Sequence, residues 1–342
     1  MPEAPGIEQW VRPSGLFNKG RLHVGAVLRV LNGKVQIFTE GIETKEGNQV
    51  YDFDGILSPG FVDLQVNGGG GLLVNETPTK EAIWDIAKAH RKYGTIGIFP
   101  TVITDSLSVL SLAVDAVIEA VGQHGVLGMH IEGPHISVER RGTHKAEFVR
   151  PLDEDTLKLV EKLRSADVPT MITLAPDVVS LEDISRLVEL GTVISIGHSN
   201  ASAGLVRRAL KAGASCFTHL FNAMPPIAGR EPGVVGAAIN SDAFAGIICD
   251  GIHVADEMVA MALRARPVSD RMYLISDAMP TVGGPAEFNL YGSKVTLINN
   301  RLVNNEGGLA GAHTTQSEGV KRLVHRIGIS TEDALKMAIT VP

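Results

Sequence analysis

Eight short apolar runs, separated by amphipathic segments, constrain the fold of this chain more than any other feature. The runs lie at 56–66, 95–102, 125–133, 170–176, 193–199, 216–221, 245–253 and 272–278. Apolar residues recur near the helical period of 3.6 in the segments between them, which predicts helices at 80–93, 106–122, 153–166, 181–190, 203–212 and 256–265. Buried strands that alternate with helices are typical of α/β proteins with a parallel sheet. We therefore predict a (β/α)₈ barrel, with a doubly wound sheet as the alternative.

The chain before the first run has a different pattern. Turn signals at Asn32-Gly33 and Gly47-Asn48 separate short β-like runs at 22–30, 34–38 and 49–53. This pattern predicts a small antiparallel sheet, so we assign residues 1–58 to a small amino-terminal β domain.

The barrel domain is then expected to cover residues 59–342. Near its end, a polar segment at 288–308 predicts a hairpin insertion that turns at Asn299-Asn300. A further helix is predicted at 316–327, after this insertion.

Charge and composition exclude several classes of protein. The 342 residues include 31 Lys and Arg against 38 Asp and Glu, a net charge of −7, so no basic surface for nucleic acid is expected. With 44 % hydrophobic and 20 % charged residues the chain should be globular, and no apolar stretch is long enough to span a membrane. The two cysteines, Cys216 and Cys249, suit a reducing compartment, and we expect a cytoplasmic protein.

Most of the apolar runs end in a residue that can bind a metal ion or move a proton. The carboxyl ends of the strands of a (β/α)₈ barrel meet at one mouth, where active sites lie. We therefore expect the following residues to meet there: Gln65, Asn67, Glu132, His135, His198, His219, His253 and Asp277. A single histidine of this kind is more often structural, but the repeated position indicates a site.

Four types of role follow from the chemistry of these residues. Glu132, His198 and His219 are the best metal ligands, because two imidazoles and a carboxylate with an open fourth position are typical of catalytic zinc. Asp277 is the candidate proton shuttle, acting first as a base towards water and then as an acid towards the leaving group. His144, in the polar loop after the third run, is a candidate hydrogen-bond donor to an oxyanion. Anion binding is predicted for Arg230 and for the backbone amides of Asn222 and Ala223.

Together, these residues resemble the N-acetylglucosamine-6-phosphate deacetylases of the amidohydrolase superfamily. The matching motifs follow the family's order from about residue 59 to 313: PGFVDLQVNGGGG, HIEGPHIS, RRGTHKAEFVR, GHSNA, THLFNAM, GREPG, DGIHV, SDAMP and LAGA. The resemblance implies a metal-dependent hydrolase that removes acetate from N-acetyl-D-glucosamine 6-phosphate, giving D-glucosamine 6-phosphate in amino-sugar catabolism. It implies one divalent ion per subunit, with Zn²⁺ preferred over Fe²⁺, Co²⁺ or Mn²⁺.

The resemblance also implies roles for single residues. The metal ligands would be Glu132, His198 and His219, with Asp277 as the catalytic acid and base and His144 polarising the acetyl carbonyl. The sugar-phosphate contacts would be His253, Asn222, Ala223 and Arg230, the last reaching the neighbouring site of a homodimer. The acetyl pocket would be lined by Leu309, Ala310 and Gly311.

Two departures from the wider pattern bear on these expectations. Gln65 and Asn67 stand where superfamily members usually carry a His-x-His pair for a second metal. Amide oxygens are weaker zinc ligands than imidazoles, so one metal is expected, although His135 could assist a second ion.

Family chains normally continue past the position that corresponds to residue 342 and return to the amino-terminal sheet, so an incomplete β-sandwich is expected here.

Two alternatives stay open at this point. A deacetylase of a related amino-sugar phosphate, such as N-acetylgalactosamine 6-phosphate, would share the metal ligands and differ in its sugar contacts. A catalytically inactive superfamily scaffold would need neither Asp277 nor His144, and both residues are present. No nucleic acid or membrane is expected as a partner.

Overall fold

A small mixed sheet forms the amino-terminal part of the molecule. The computed structural model describes residues 8–38, 49–305 and 307–342, so the predicted turn at Gly47-Asn48 lies outside the described residues. The strands are β1 (Glu8–Asn18), β2 (Arg21–His23), β3 (Val27–Leu31), β4 (Lys34–Phe38) and β5 (Val50–Leu57). Their order is β2-β1-β3-β4, and β5 also pairs with β1.

Strand β1 corrects the expectation of a purely antiparallel sheet. It runs antiparallel to β2 and β3 but parallel to β5. The sequence pattern did not predict β1, because Pro13 and Gly15 interrupt its apolar run. The register between β1 and β5 shifts between these two residues, and such an irregularity is where a strand tolerates Pro and Gly.

Eight parallel strands form the barrel that the apolar runs predicted. The first, β6 (Phe61–Val66), is followed by a short hairpin of β7 (Gly68–Gly69) and β8 (Leu72–Leu73). The other seven are β9 (Thr95–Ile103), β10 (Met129–Glu132), β11 (Thr170–Leu174), β12 (Val193–Ile196), β13 (Cys216–Phe217), β14 (Phe244–Ile247) and β15 (Met272–Leu274). Spatial neighbours follow the chain order. The predicted barrel is confirmed.

The segment that follows β15 closes the barrel against β6. Asp277 N donates to Gln65 O at 3.0 Å, and Asn67 N donates to Ala278 O at 3.0 Å. These bonds join the carboxyl ends of the first and last strands. Gln65, Asn67 and Asp277 therefore become neighbours although about 210 residues separate them along the chain.

Within the described chain, nine α-helices accompany the barrel. They are α1 (Lys80–Arg91), α2 (Leu107–Ala120), α3 (Glu154–Ser165), α4 (Leu181–Glu189), α5 (Ala203–Lys211), α6 (Gly233–Ile239), α7 (Asp256–Ala265), α8 (Gln316–Arg322) and α9 (Thr331–Leu335). Short π-helical turns continue α8 and α9. The side chains that cap the first five helices are Thr79, Ser106, Asp153, Ser180 and Ser202.

Helix α6 was not predicted from the sequence. Its seven residues, GVVGAAI, are all buried and carry no polar face, so no amphipathic period marks them. None of the helices that the structure describes combines the length and apolar character needed to cross a membrane.

The insertion after β15 is larger than the predicted hairpin. It has four antiparallel strands, β16 (Glu287–Leu290), β17 (Ser293–Ile298), β18 (Arg301–Asn304) and β19 (Leu309–Ala312). The predicted turn joins β17 to β18, where Asn299 and Asn300 have φ values of 50° and 62°. Ala312 bridges to Ala278, which brings β19 to the mouth of the barrel.

Candidate active site

Three side chains at the barrel mouth converge on one point. Glu132 ends β10, and His198 and His219 follow β12 and β13. Glu132 Oε1 lies 3.2 Å from His198 Nε2 and 3.0 Å from His219 Nε2, and the two Nε2 atoms are 3.0 Å apart. All three side chains are buried. Among the described residues, only these three form a cluster with the composition and spacing of a metal site.

The hydrogen bond of His198 tests whether this cluster fits a cation. His198 Nδ1 lies 2.8 Å from Arg140 O, and because a carbonyl only accepts, Nδ1 carries the proton. In the neutral ring, Nε2 then presents a lone pair to Glu132 Oε1, so that two acceptors are in contact. A bound cation removes this conflict, and tetrahedral zinc with bonds of about 2.1 Å spaces its ligand atoms about 3.4 Å apart. The donor set therefore fits a divalent metal.

Three residues at the barrel mouth have an unusual backbone conformation. His198, His219 and Asp277 have φ values of 47°, 31° and 51°, in the left-handed region that residues other than glycine rarely adopt. Each such residue costs about 1–3 kcal/mol and persists only where the surrounding structure holds it. All three line the same cavity, so each of them places backbone strain at the candidate site.

The carboxylate of Asp277 receives two amide donors. Asn67 Nδ2 lies 2.7 Å and Gln65 Nε2 3.1 Å from Asp277 Oδ1. Gln65 Nε2 also lies 2.9 Å from Glu132 Oε1, so that one amide joins the two carboxylates. Burial, followed by the charge of Glu132, raises the pKa of Asp277 to about 6. Gln65 and Asn67 therefore hold the carboxylates through their amide nitrogens.

His144 reaches the cavity from the loop that follows β10. Its ring lies against that of His198, with the centroids 4.4 Å apart, and its Nδ1 lies 2.7 Å from Thr104 Oγ1. Burial, followed by the charge of His198, lowers the pKa of His144 to about 3. The ring is therefore neutral at physiological pH and can donate through only one of its nitrogens.

His253 enters the cavity from the loop that follows β14. Its Nδ1 lies 2.6 Å from Asp250 Oδ2, and Asp250 Oδ1 accepts the backbone N–H groups of Ile252 and His253, both at 2.8 Å. The carboxylate therefore holds both the ring and the turn that carries it.

A cavity of ≈ 170 Å³ connects these groups. The predicted site residues that line it are Asn67, Glu132, His144, His198, His219, Asn222, Ala223, His253, Asp277, Leu309 and Gly311. Ile103, Ile248 and Met279 add an apolar wall. Polar groups that converge beside an apolar wall suit a small polar ligand with one apolar substituent.

Four predicted residues do not line this cavity. Gln65 is buried and bonded to the two carboxylates, as described above. Ala310 is fully buried in an apolar cluster with Met279. His135 is buried, with its Nδ1 3.1 Å from Arg150 O. Arg230 is exposed in the loop before α6.

Asn222 and Gly311 shape the cavity in different ways. Asn222 Nδ2 is buried without a hydrogen-bond partner, which leaves a donor for a ligand oxygen. The backbone N–H of Asn222 donates to His219 O at 2.9 Å, so the free donor of this residue is its side-chain amide and not the backbone amide expected from the sequence. Gly311 has a φ of 70°, and a Cβ there would lie 2.5 Å from Met279 Cγ, so this position requires glycine.

Sequence reasoning missed Thr104 and Asp250, which contact His144 and His253. Thr104 directly follows β9, and Asp250 lies three residues before His253. Their position after a strand was the available signal, and for Asp250 the carboxylate was a second one.

The barrel, the buried ligand cluster and the adjacent carboxylate together define a metal-dependent barrel hydrolase. The pattern of the amidohydrolase family matches residues 56–338, and the chain belongs to this family. The expected family resemblance is thereby confirmed.

Named relatives and a solved structure are also similar to the chain. The N-acetylgalactosamine-6-phosphate deacetylase of Shewanella sp. (strain ANA-3) is 41 % identical over 292 residues, which are 84 % of this chain and 73 % of the relative. The N-acetylglucosamine-6-phosphate deacetylase of Haemophilus influenzae is 32 % identical over 321 residues, 92 % of this chain and 83 % of the relative. The crystal structure of the N-acetylglucosamine-6-phosphate deacetylase from Pasteurella multocida has a TM-score of 0.90 at 33 % identity, covering 98 % of this chain and 89 % of that chain.

Proposed function

We propose that this protein hydrolyses N-acetyl-D-glucosamine 6-phosphate to acetate and D-glucosamine 6-phosphate. The observation that carries the proposal is the meeting of a Glu-His-His cluster with Asp277 in one cavity. Amide hydrolysis needs an activated water, a polarised carbonyl and a group that protonates the departing amine. The relatives named above are deacetylases of this sugar phosphate or of its galactosamine isomer.

The residues around the cluster have separate roles in this reaction. Glu132, His198 and His219 would hold a divalent ion, which when bound would lower the pKa of a water and polarise the acetyl oxygen. Asp277 takes a proton from the attacking water and returns it to the leaving nitrogen. The side-chain amides of Asn67 and Gln65 orient its carboxylate for this role.

Other side chains position the substrate. His144 donates a hydrogen bond to the acetyl oxygen as negative charge develops there. The acetyl methyl group packs on the apolar wall, while His253 and Asn222 Nδ2 bind the sugar phosphate. Arg230 is exposed within one subunit, which suits a contact with the phosphate at the neighbouring site of a homodimer.

We propose one ion per subunit, and zinc as that ion, because two imidazoles and one carboxylate are zinc ligands. A single ion is proposed because Gln65 and Asn67 supply amide oxygens, which are weaker zinc ligands than imidazoles, and because their amide nitrogens contact the carboxylates of Glu132 and Asp277. Cys216 and Cys249 are buried and unpaired, which supports the reducing cytoplasm as the compartment.

The first experiment measures metal per subunit together with acetate release from both isomeric sugar phosphates. We expect one metal and a higher kcat/KM with N-acetylglucosamine 6-phosphate. The 41 % identity to an N-acetylgalactosamine-6-phosphate deacetylase makes that isomer the second candidate, and a reversed kcat/KM ratio would select it. N-acetylglucosamine without phosphate is the control for the phosphate contacts. Bound metal without acetate release from either isomer would refute the substrate class.

A further inference from the structure

Thr104 lies beside the candidate site, but none of the roles proposed above involves it. It follows β9 at the barrel mouth, is buried, and does not line the cavity. Its Oγ1 lies 2.7 Å from His144 Nδ1 and 3.4 Å from Glu132 O. Because a hydroxyl has one proton, it can donate to only one of these two atoms.

The two distances favour one position for that proton. Hydroxyl donors usually lie 2.5–3.0 Å from their acceptors, and N–H donors most often lie about 2.9–3.0 Å away. The 2.7 Å contact with His144 therefore suits a hydroxyl donor, whereas the 3.4 Å contact with Glu132 O is too long for one. If Thr104 donates to Nδ1, that nitrogen is unprotonated, and the neutral ring carries its proton on Nε2.

The surrounding structure holds Thr104 in place. Asn75 makes two hydrogen bonds with the backbone of Ile103, which precedes Thr104. Its Nδ2 donates to Ile103 O at 2.9 Å, and its Oδ1 accepts the N–H of Ile103 at 3.0 Å. The hydroxyl of Tyr291, from the inserted sheet, donates to Thr104 O. A Cβ at Gly133 would lie 2.2 Å from Thr104 Oγ1, so only glycine leaves room for the hydroxyl there. The backbone of Thr104, the residue before it and the space around its hydroxyl are therefore all constrained.

We infer that Thr104 is a positioning residue whose hydroxyl donates to His144 Nδ1 and thereby keeps the ring proton on Nε2. The ring of His144 lines the cavity, and its Nδ1 is taken up by Thr104. Nε2 is therefore the nitrogen that remains to donate to the acetyl oxygen. The opposite tautomer would present a lone pair to that oxygen and would repel the developing charge. The hydrogen bond to the acetyl oxygen rests on the proposed function, whereas the position of the ring proton on His144 does not.

The tautomer can be measured without turnover. In protein labelled with ¹⁵N-histidine, long-range ¹H–¹⁵N correlation spectra distinguish a protonated from an unprotonated ring nitrogen. The His144 signals are assigned by their absence in His144→Gln. We expect a protonated Nε2 and a bare Nδ1, both in metal-free and in zinc-loaded protein. A protonated Nδ1 would overturn the inference even if acetate release proves the proposed function.

Kinetics of Thr104 variants separate positioning from a purely structural role. Thr104→Val removes the hydroxyl at nearly constant shape, and we expect kcat to fall about tenfold to a hundredfold with KM within about twofold. Thr104→Ser keeps the donor and should retain both kcat and the tautomer. Thr95→Val is the matched control, since Thr95 is a buried threonine of β9, the strand that Thr104 follows, and its hydroxyl has no partner. Equal losses in Thr104→Ser and Thr104→Val would contradict the inference.

Discussion

Asn67 Nδ2 donates to Asp277 Oδ1 at 2.7 Å, across the seam where the first and last barrel strands meet. The second donor to this oxygen, Gln65 Nε2, is shared with Glu132. Asn67 is therefore the donor whose side-chain amide serves Asp277 alone, and we expect the orientation of the Asp277 carboxylate to depend most on it.

We expect Asn67→Leu to lower kcat about tenfold to a hundredfold, because a misoriented carboxylate no longer meets the attacking water. Steady-state acetate release measures the effect, and elemental analysis of the purified variant should show unchanged metal. Loss of the metal together with activity would instead make Asn67 a ligand.

Asp277→Asn tests the proton shuttle. The amide cannot accept the proton, so we expect kcat to fall by a factor of about 10²–10⁴ while the metal content stays at the wild-type value. Asp155→Asn is the control, because Asp155 is exposed and pairs with Lys158 outside the site. A variant without metal would show that Asp277 acts mainly as a ligand.

Removal of the metal by a chelator should abolish acetate release and lower the thermal unfolding midpoint. Binding to the folded state alone stabilises it by about 2.7 kcal/mol at a free-ion concentration of a hundred times Kd. Calorimetry with and without added Zn²⁺ measures this shift. His219→Ala should show no such dependence, and an equal shift in that variant would place the stabilising ion elsewhere.

Asp250→Asn tests the support of His253. The variant weakens the 2.6 Å contact with His253 Nδ1, and charged hydrogen bonds contribute about 1.5–3 kcal/mol. Because we place His253 on the sugar phosphate, we expect KM to rise about tenfold with little change in kcat. A fall in kcat at constant KM would show that His253 takes part in the chemistry.

Asp63 gives the protein a pH-dependent stability. It is buried, its Oδ1 accepts the backbone N–H of Ser276 at 3.2 Å, and its Oδ2 has no partner. Burial raises the pKa of Asp63 from 3.8 to about 7. The folded state therefore holds this proton more tightly than the unfolded chain does. Its contribution to the free energy of unfolding is complete below about pH 4 and is lost as the pH rises through 7.

Asp63→Asn removes this titration while keeping an oxygen acceptor for Ser276. We expect the unfolding midpoint of the wild type to fall more than that of the variant between pH 5 and pH 8. Thermal melts of both proteins at the two pH values measure the difference. Parallel pH dependence in the two proteins would show that other groups control it.

The barrel could be predicted because its strands are apolar runs bounded by helices with a clear period. Two elements were not predicted, each for a local reason, and one pairing was missed because it is not local. Pro13 and Gly15 concealed β1, and the uniformly apolar sequence of α6 shows no helical period. Pairing between distant strands, as in the parallel contact of β1 with β5, leaves no local pattern.

The candidate site could be predicted only in part. Strand-end position and residue type selected Glu132, His198, His219 and Asp277, and the structure brings all four to one cavity. Thr104 escaped notice because a threonine after a strand is common and its partner, His144, lies 40 residues away.

The sequence by itself determined the barrel, the family and the residue types at the mouth, because all of these depend on local periodicity and on order along the chain. The tertiary structure alone decided which ring nitrogen of His198 and of His144 can carry a proton. That choice depends on the group facing Nδ1, which is Arg140 O for His198 and Thr104 Oγ1 for His144. Those groups come from other segments of the chain, and only the packing of the closed barrel brings them within hydrogen-bond distance.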